Sequence, residues 1–125
     1  MADMKTIANQ FVQHYYTTFD NSREQLINLY VPQSTLSFEG TDLQGEVQIS
    51  EKLKGLPFQK VEHSVTTVDV QPTVDNGLIV FVIGQLKTDS DPPHGFSQVF
   101  HLKQNPVTNS LVVLNDIFRL MLHHG

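Results

Sequence analysis

The stretch Ser110-Leu-Val-Val-Leu-Asn-Asp-Ile-Phe-Arg-Leu-Met-Leu122 constrains the fold more than any other part of the chain. It contains no Gly or Pro, and Val112, Val113, Ile117 and Phe118 are β-branched or aromatic, which suits a long, twisted strand. On a period of two, Val112, Leu114, Phe118, Leu120 and Leu122 share one face, while Leu111, Val113, Ile117 and Met121 share the other. Both faces are apolar, so the strand needs helices on one side and a second sheet or subunit on the other. Asn115, Asp116 and Arg119 interrupt it. A lone buried carboxylate is costly, which predicts a bulge here or pairing of Asp116 with a cation or a backbone donor.

The rest of the chain supplies the helices first. Asp3 caps a helix whose apolar positions Ile7, Phe11, Val12, Tyr15, Tyr16 and Phe19 form a broad stripe. Asn21, with Glu24 three residues on, predicts a capping box for a second helix that buries Leu26, Ile27, Leu29 and Tyr30 and ends at Val31-Pro32. Thr35 to Phe38 reads as a short strand. A third helix starts after Gly45, turns Val47, Ile49 and Leu53 inward and stops at Gly55.

From Lys60 the period changes to two. Val61, His63 and Val65 alternate, then the parity slips to Val68 and Val70, which predicts a bulge near Thr66-Thr67 and a bend in the sheet. Asp75-Asn76-Gly77 is a turn, Leu78 to Lys87 a strand apolar on both faces, and Phe96 to Lys103 an alternating strand. Three helices followed by long antiparallel strands make an α+β domain over residues 1–125, a cone-shaped body with a strongly bent antiparallel sheet. The interior of such a cone is a pocket.

A length of 125 residues suffices for one domain with a real core. The formal charge of −5 and the absence of Lys/Arg clusters argue against nucleic acid and anionic membranes as partners. No long apolar run predicts a signal peptide or membrane insertion, which makes an intracellular setting the default. Without Cys, neither disulfides nor Cys-ligated zinc can form, and His14, His63, His94, His101, His123 and His124 lack ligand spacing, so no metal or cofactor is expected. His63, between Val61 and Val65, is either a core histidine with one hydrogen bond or a polar group inside the pocket. There is no nucleophile elbow or phosphate-cradling loop, and pocket catalysis would fall to Asp69, Asp116 and His63, which no spacing singles out. Glu39, Asp89 and Asp91 are either solvated turn acids or a ring of carboxylates at a greasy hollow, suited to one Lys or Arg beside one aromatic of a partner protein.

Several stretches run in order across almost the whole chain and resemble the nuclear transport factor 2 family, small carriers that return the GTPase Ran to the nucleus. They are His14-Tyr-Tyr with Phe19-Asp20, Leu36-x-Phe-Glu-Gly40, Gln44-Gly45, Glu51-Lys-Leu53, Leu56-Pro-Phe-Gln-Lys60, Gly95-Phe-Ser-Gln-Val-Phe-His-Leu102 and Asn115-Asp-Ile-Phe-Arg-Leu120. The resemblance implies a non-enzymatic homodimer, joined through the outer face of its sheet, that binds Ran in its GDP form. It implies that an aromatic of Ran enters a hollow lined by Phe38, Leu56, Val61, His94, Ile117 and Phe118, and that Glu39, Asp89 and Asp91 pair with a Ran lysine. It also implies weak contacts with Phe-x-Phe-Gly repeats of nuclear pore proteins, and residence in cytoplasm and nucleus, concentrated at the pore. For the repeats, animal members commonly use an aromatic near the start of the first helix, where this chain has Met4, a soft, adaptable substitute. Phe38 stands where some members have Trp. The rival reading is a small-molecule isomerase or dehydratase, because the same cone supports such enzymes and fold does not fix function. An enzyme would converge polar groups deep in the pocket, whereas this pocket reads as mostly apolar with acids at its rim.

Overall fold

The computed structural model describes residues 3–121. Leu122, His123 and His124, assigned above from sequence, lie outside the described residues.

Helix α1 spans Met4–Asn21, with Asp3 as its N-cap accepting from the Lys5 amide. Phe11, Val12, Tyr15, Tyr16 and Phe19 are buried as the stripe predicts, and Ala8 joins them, while Ile7 is only half-buried. The expected capping box does not form. Asn21 is the last residue of α1, and its side-chain amide donates to the Thr17 carbonyl. A 3₁₀ segment, Arg23–Leu29, comes next, with no side-chain cap and an exposed Glu24. Leu26 is its buried residue, and Ile27 and Leu29 are half-buried.

Strand β1, Tyr30–Phe38, starts earlier than the expected Thr35 and carries Pro32 inside it. Pro is tolerated because the pairing is interrupted there: the register with the last strand shifts between Tyr30 and Thr35. The buried Ser34 hydroxyl fastens this irregularity by accepting from the Val31 amide and donating to the Val113 carbonyl. Ser34→Ala leaves both groups unpaired and is expected to cost about 1–2 kcal/mol, readable as a lowered urea midpoint with an unchanged slope.

Periodicity gave no sign of β2, Thr41–Gln44, which returns against β1 as a hairpin. Its two-residue turn is Glu39-Gly40, with φ of 51° and 88°, the left-handed pair that a tight hairpin requires. Helix α2 is Glu46–Lys54, between Gly45 and Gly55 as expected. Ile49 and Leu53 are buried, but Val47 is 60% exposed, contrary to expectation. It lies two residues from Ile49, about 200° around the helix, and therefore on the opposite side.

The remaining strands are β3 (Val61–Pro72), β4 (Leu78–Thr88), β5 (His94–Gln104) and β6 (Leu111–Leu120). The sheet order is β2-β1-β6-β5-β4-β3. Pairing is antiparallel except between β1 and β6, which run parallel, so the sheet is mixed rather than antiparallel throughout. These two strands are joined through most of the chain, which is the long connection that a parallel pair needs. β3 bulges between Val65 and Thr67, where its parity slips. Asn76 takes φ 64° in the turn before β4, and the Thr73 amide closes that turn on the Gly77 carbonyl.

β6 bulges as well. Val113 pairs with Leu102 and Asn115 with His101, which leaves Leu114 as the extra residue. The extra residue resets the alternation, so Phe118 and Leu120 share the core face with Leu111 and Val113. Ile117 is turned away from that core and is 50% exposed. The faces expected from strict alternation are therefore corrected: the first half of β6 exchanges sides relative to the second.

Beneath α1, the inward residues Val80, Val82, Phe96, Phe100 and Leu102 form the core with the helix aromatics. Phe100 meets Phe11 and Tyr15 edge-on at 5.3 and 4.8 Å between ring centroids. The outer face of the sheet carries an apolar row in which Phe81 pairs with Val99 and Val99 with Ile117, beside Ile79, which is 42% exposed.

Candidate functional site

Between α1, α2 and the inner face of the sheet lies a hollow of about 320 Å³. Phe19 and Tyr15 of α1 and Leu53 of α2 contribute to its lining. The segment after α2 adds Leu56, Pro57 and Phe58, and the sheet adds Leu36, Phe38, Val61, Leu86, Phe118 and Leu120. Phe38 and Phe118 stack at 4.8 Å with an interplanar angle of 15°, because β1 and β6 place them directly opposite each other. Lys52 stands 5.6 Å above the Phe38 ring, within cation–π range. Arg23 holds Phe58 in place: its guanidinium lies 4.6 Å from the ring centroid and donates to the Phe58 carbonyl.

Of the residues expected to contact a partner, Phe38, Leu56, Val61, Asp91, His94 and Phe118 line the hollow. Ile117 does not. It lies on the outer sheet face, because neighbours on a strand point to opposite sides. Glu39 sits in the β1–β2 turn beside Phe38, and its carboxylate accepts from the Leu120 amide. Asp89 takes φ 48° in the β4–β5 loop and accepts from the Gln59 and Lys60 amides at 3.3 and 3.0 Å, next to Phe58. Asp91 closes the same loop through its amide, which donates to the Thr88 carbonyl. Asp91 thus lines the hollow, whereas Glu39 and Asp89 are not part of its lining but fasten backbone at or next to lining residues, Glu39 at Leu120 and Asp89 at Gln59 and Lys60. Met4 is half-buried in the first turn of α1.

Four further polar residues line the hollow: His63, which its sequence position allowed, and Tyr15, Thr88 and Gln98, which the sequence did not suggest. Gln98 is legible in retrospect as the polar member of the inward series Phe96, Gln98, Phe100 and Leu102. Its amide donates to Asp116 at 2.7 Å, and its carbonyl accepts from the Tyr16 hydroxyl at 2.7 Å. Asp116 also accepts from Tyr30 at 2.8 Å, and Tyr30 is 2.7 Å from the Tyr15 hydroxyl. Asp116 is thus satisfied by side-chain hydroxyls and an amide, not by the expected cation or backbone donor. Burial drives its pKa up to about 6 against the lowering effect of the Gln98, Tyr30 and Tyr15 hydrogen bonds. Burial, and then the Asp116 charge, pushes the Tyr15 and Tyr30 phenols well above their ordinary range.

His63 is held by Asp20 from the end of α1. One carboxylate oxygen meets Nδ1 at 2.6 Å and the other accepts from the His63 amide at 2.9 Å. The imidazole stacks on Tyr16 at 4.6 Å and meets Phe19 and Phe96 edge-on. It is both a core residue and a pocket residue, so the two readings of its sequence position coexist. Asp69, by contrast, is exposed on β3, and Asp116 is buried outside the lining of the hollow, so the three catalytic candidates do not converge.

Residues 7–120 match the model of the nuclear transport factor 2 (NTF2) domain. Nuclear transport factor 2 of Schizosaccharomyces pombe is 51% identical over 122 residues, covering 96% of this chain and 98% of that protein. The Saccharomyces cerevisiae protein of the same name is 52% identical, with 94% of each chain covered. The solved structure of nuclear transport factor 2 from Cryptosporidium parvum superposes with a TM-score of 0.91 at 44% identity, covering 95% of each chain. The chain belongs to the nuclear transport factor 2 family.

Proposed function

We propose that this chain, whose family role is nuclear transport, acts as a non-enzymatic homodimeric carrier of Ran-GDP through the nuclear pore. The observation that supports this reading is an aromatic-walled hollow lined by Asp91, with Glu39 and Asp89 bonded to the backbone of Leu120, Gln59 and Lys60 beside it. Such a site suits one inserted aromatic side chain flanked by a cation. The buried ring supplies affinity, and the rim charges supply orientation and encounter rate. Preference for the GDP form follows if only that nucleotide state presents the aromatic and the lysine together. The apolar row Phe81, Val99 and Ile117 on the outer sheet face is the surface through which two copies would pair, leaving both hollows open. Working locations are the cytoplasm, the nucleus and the pore between them.

Calorimetric titration with Ran loaded with GDP, and separately with a non-hydrolysable GTP analogue, tests the reading. Binding to the GDP form alone supports it, and binding to neither overturns it. For the pore contacts, Met4→Ala is expected to weaken Phe-x-Phe-Gly peptide binding several-fold, because a few apolar contacts are lost from a weak site. Unchanged peptide binding would remove Met4 from that surface.

A further inference from the structure

We propose that Arg23 is a positioning residue of the carrier: it holds residues 56–60 as a strap in the wall of the hollow, without itself lining it. The inference rests on the carrier reading above and gives that site a residue from outside its lining.

Residues 56–60 join α2 to β3 and belong to neither a helix nor a strand. They have no ladder to fix them, yet Leu56, Pro57 and Phe58 all line the hollow. Their far end is clipped to the β4–β5 loop. There Asp89 accepts from the Gln59 and Lys60 amides at 3.3 and 3.0 Å, and the Asp89 amide donates to the Lys60 carbonyl at 2.9 Å. Among the described residues, the lining end is hydrogen-bonded through Arg23, whose Nη2 donates to the Phe58 carbonyl at 3.3 Å. Leu56 and Phe58 also pack against the core, but apolar packing is non-directional and does not by itself fix a ring. The guanidinium, 4.6 Å from the Phe58 centroid, does.

The surroundings of Arg23 support this role. It is half-buried at the start of the 3₁₀ segment and forms no ion pair among the described residues. Its Nη1 is buried without a hydrogen-bond partner among them. A partly desolvated cation with no counter-charge is costly, and the rings of Phe58 and, at 5.8 Å, Phe19 offset that cost. Phe19 belongs to α1 and lines the hollow as well. One side chain therefore ties two walls together. A guanidinium stacks on a ring while its planar fork donates, whereas a lysine ammonium is a compact point charge without that plane. A partner's ring then meets walls already in place, which lengthens residence more than it speeds encounter.

Surface plasmon resonance on immobilised Ran-GDP, with NMR of the free chain beside it, tests the inference. Arg23→Lys keeps the charge and loses the plane, and Arg23→Gln loses both. Each variant is expected to raise koff about 10-fold, with kon within about 2-fold of the unmodified chain and the same salt dependence. Under conditions where every variant is fully folded, a merely structural role would leave koff unmoved. Should Arg23→Gln fail to fold, Arg23→Lys still reads koff. In the free chain, Arg23→Lys should shift NMR signals chiefly at residues 56–60 and Phe19. Unchanged koff overturns the inference, as do shifts that bypass residues 56–60. A reduced kon or an altered salt dependence in Arg23→Gln does so too, because Arg23 would then act as a charge on the partner. Failure of the unmodified chain to bind Ran-GDP overturns the carrier reading instead, and the NMR arm still decides the strap.

Discussion

In the proposed carrier, Asp89→Asn combined with Asp91→Asn is expected to lower affinity for Ran-GDP by about 100-fold or more while leaving the proposed dimer intact. The pair is chosen so that charge is removed and structure is kept. Asp89 accepts from the Gln59 and Lys60 amides through one oxygen, and Asn retains an equivalent carbonyl oxygen. Its φ of 48° is one that Asn adopts readily. The Asp91 turn is closed by its backbone amide, which the substitution does not alter, and its side chain accepts from the Thr88 hydroxyl at 3.5 Å, a contact that the Asn carbonyl oxygen can keep. What disappears is the negative charge beside the hollow, and removing one partner of a hydrogen-bonded charge pair that becomes buried on binding costs about 2–5 kcal/mol. Calorimetry gives the affinity, and gel filtration with light scattering gives the assembly state. A dimer that dissociates would make these acids structural. A retained dimer with undiminished affinity would remove both from the Ran surface.

The second large effect concerns Asp116 and pH. Its carboxyl titrates near 6 in the folded protein and near its ordinary value of 3.8 when unfolded, so the folded state holds the proton more tightly. A raised folded pKa means that the contribution to stability is fully present below about 3.8 and is lost as pH rises through about 6. Relative to Asp116→Asn, which cannot ionise, the unmodified chain should therefore gain stability on acidification from pH 7.5 to 4. The gain is on the order of 3 kcal/mol, from the size of the pKa difference. Asn preserves one acceptor for the Gln98 amide and offers Tyr30 a donor in place of an acceptor, so the cluster can rearrange around it. Urea unfolding of both chains across that pH interval measures the difference directly. Parallel pH profiles would show that Asp116 titrates normally in the folded state.

How legible each part of the site was in the sequence depends on how its residues are placed. Phe38, Leu56, Val61, His94 and Phe118 were named from motifs and do line the hollow. Ile117 was named with them and lies on the other face, because a one-residue bulge at Leu114 changes the side on which every later residue of β6 falls. The parity slip in β3 was visible because two Val series straddle it, whereas that in β6 falls where both faces are apolar and leaves no trace in the pattern. Asp20 and His63 stand 43 positions apart and meet at 2.6 Å, a pairing that no local spacing encodes.

By itself, the sequence determined the course of α1 from the Asp3 cap, the limits of α2 between two glycines, the bend of β3, and the alternation of β5 that sets Gln98 among inward residues. These are properties of short windows, fixed by caps, steric limits and side-chain period. Tertiary structure alone decided the parallel union of β1 with β6, the capture of Asp116 by Tyr30 and Gln98, and the Asp20 clamp on His63. Each joins residues that become neighbours only when the sheet curves around α1. A buried polar group's energy depends on which partners that closure brings within hydrogen-bonding distance.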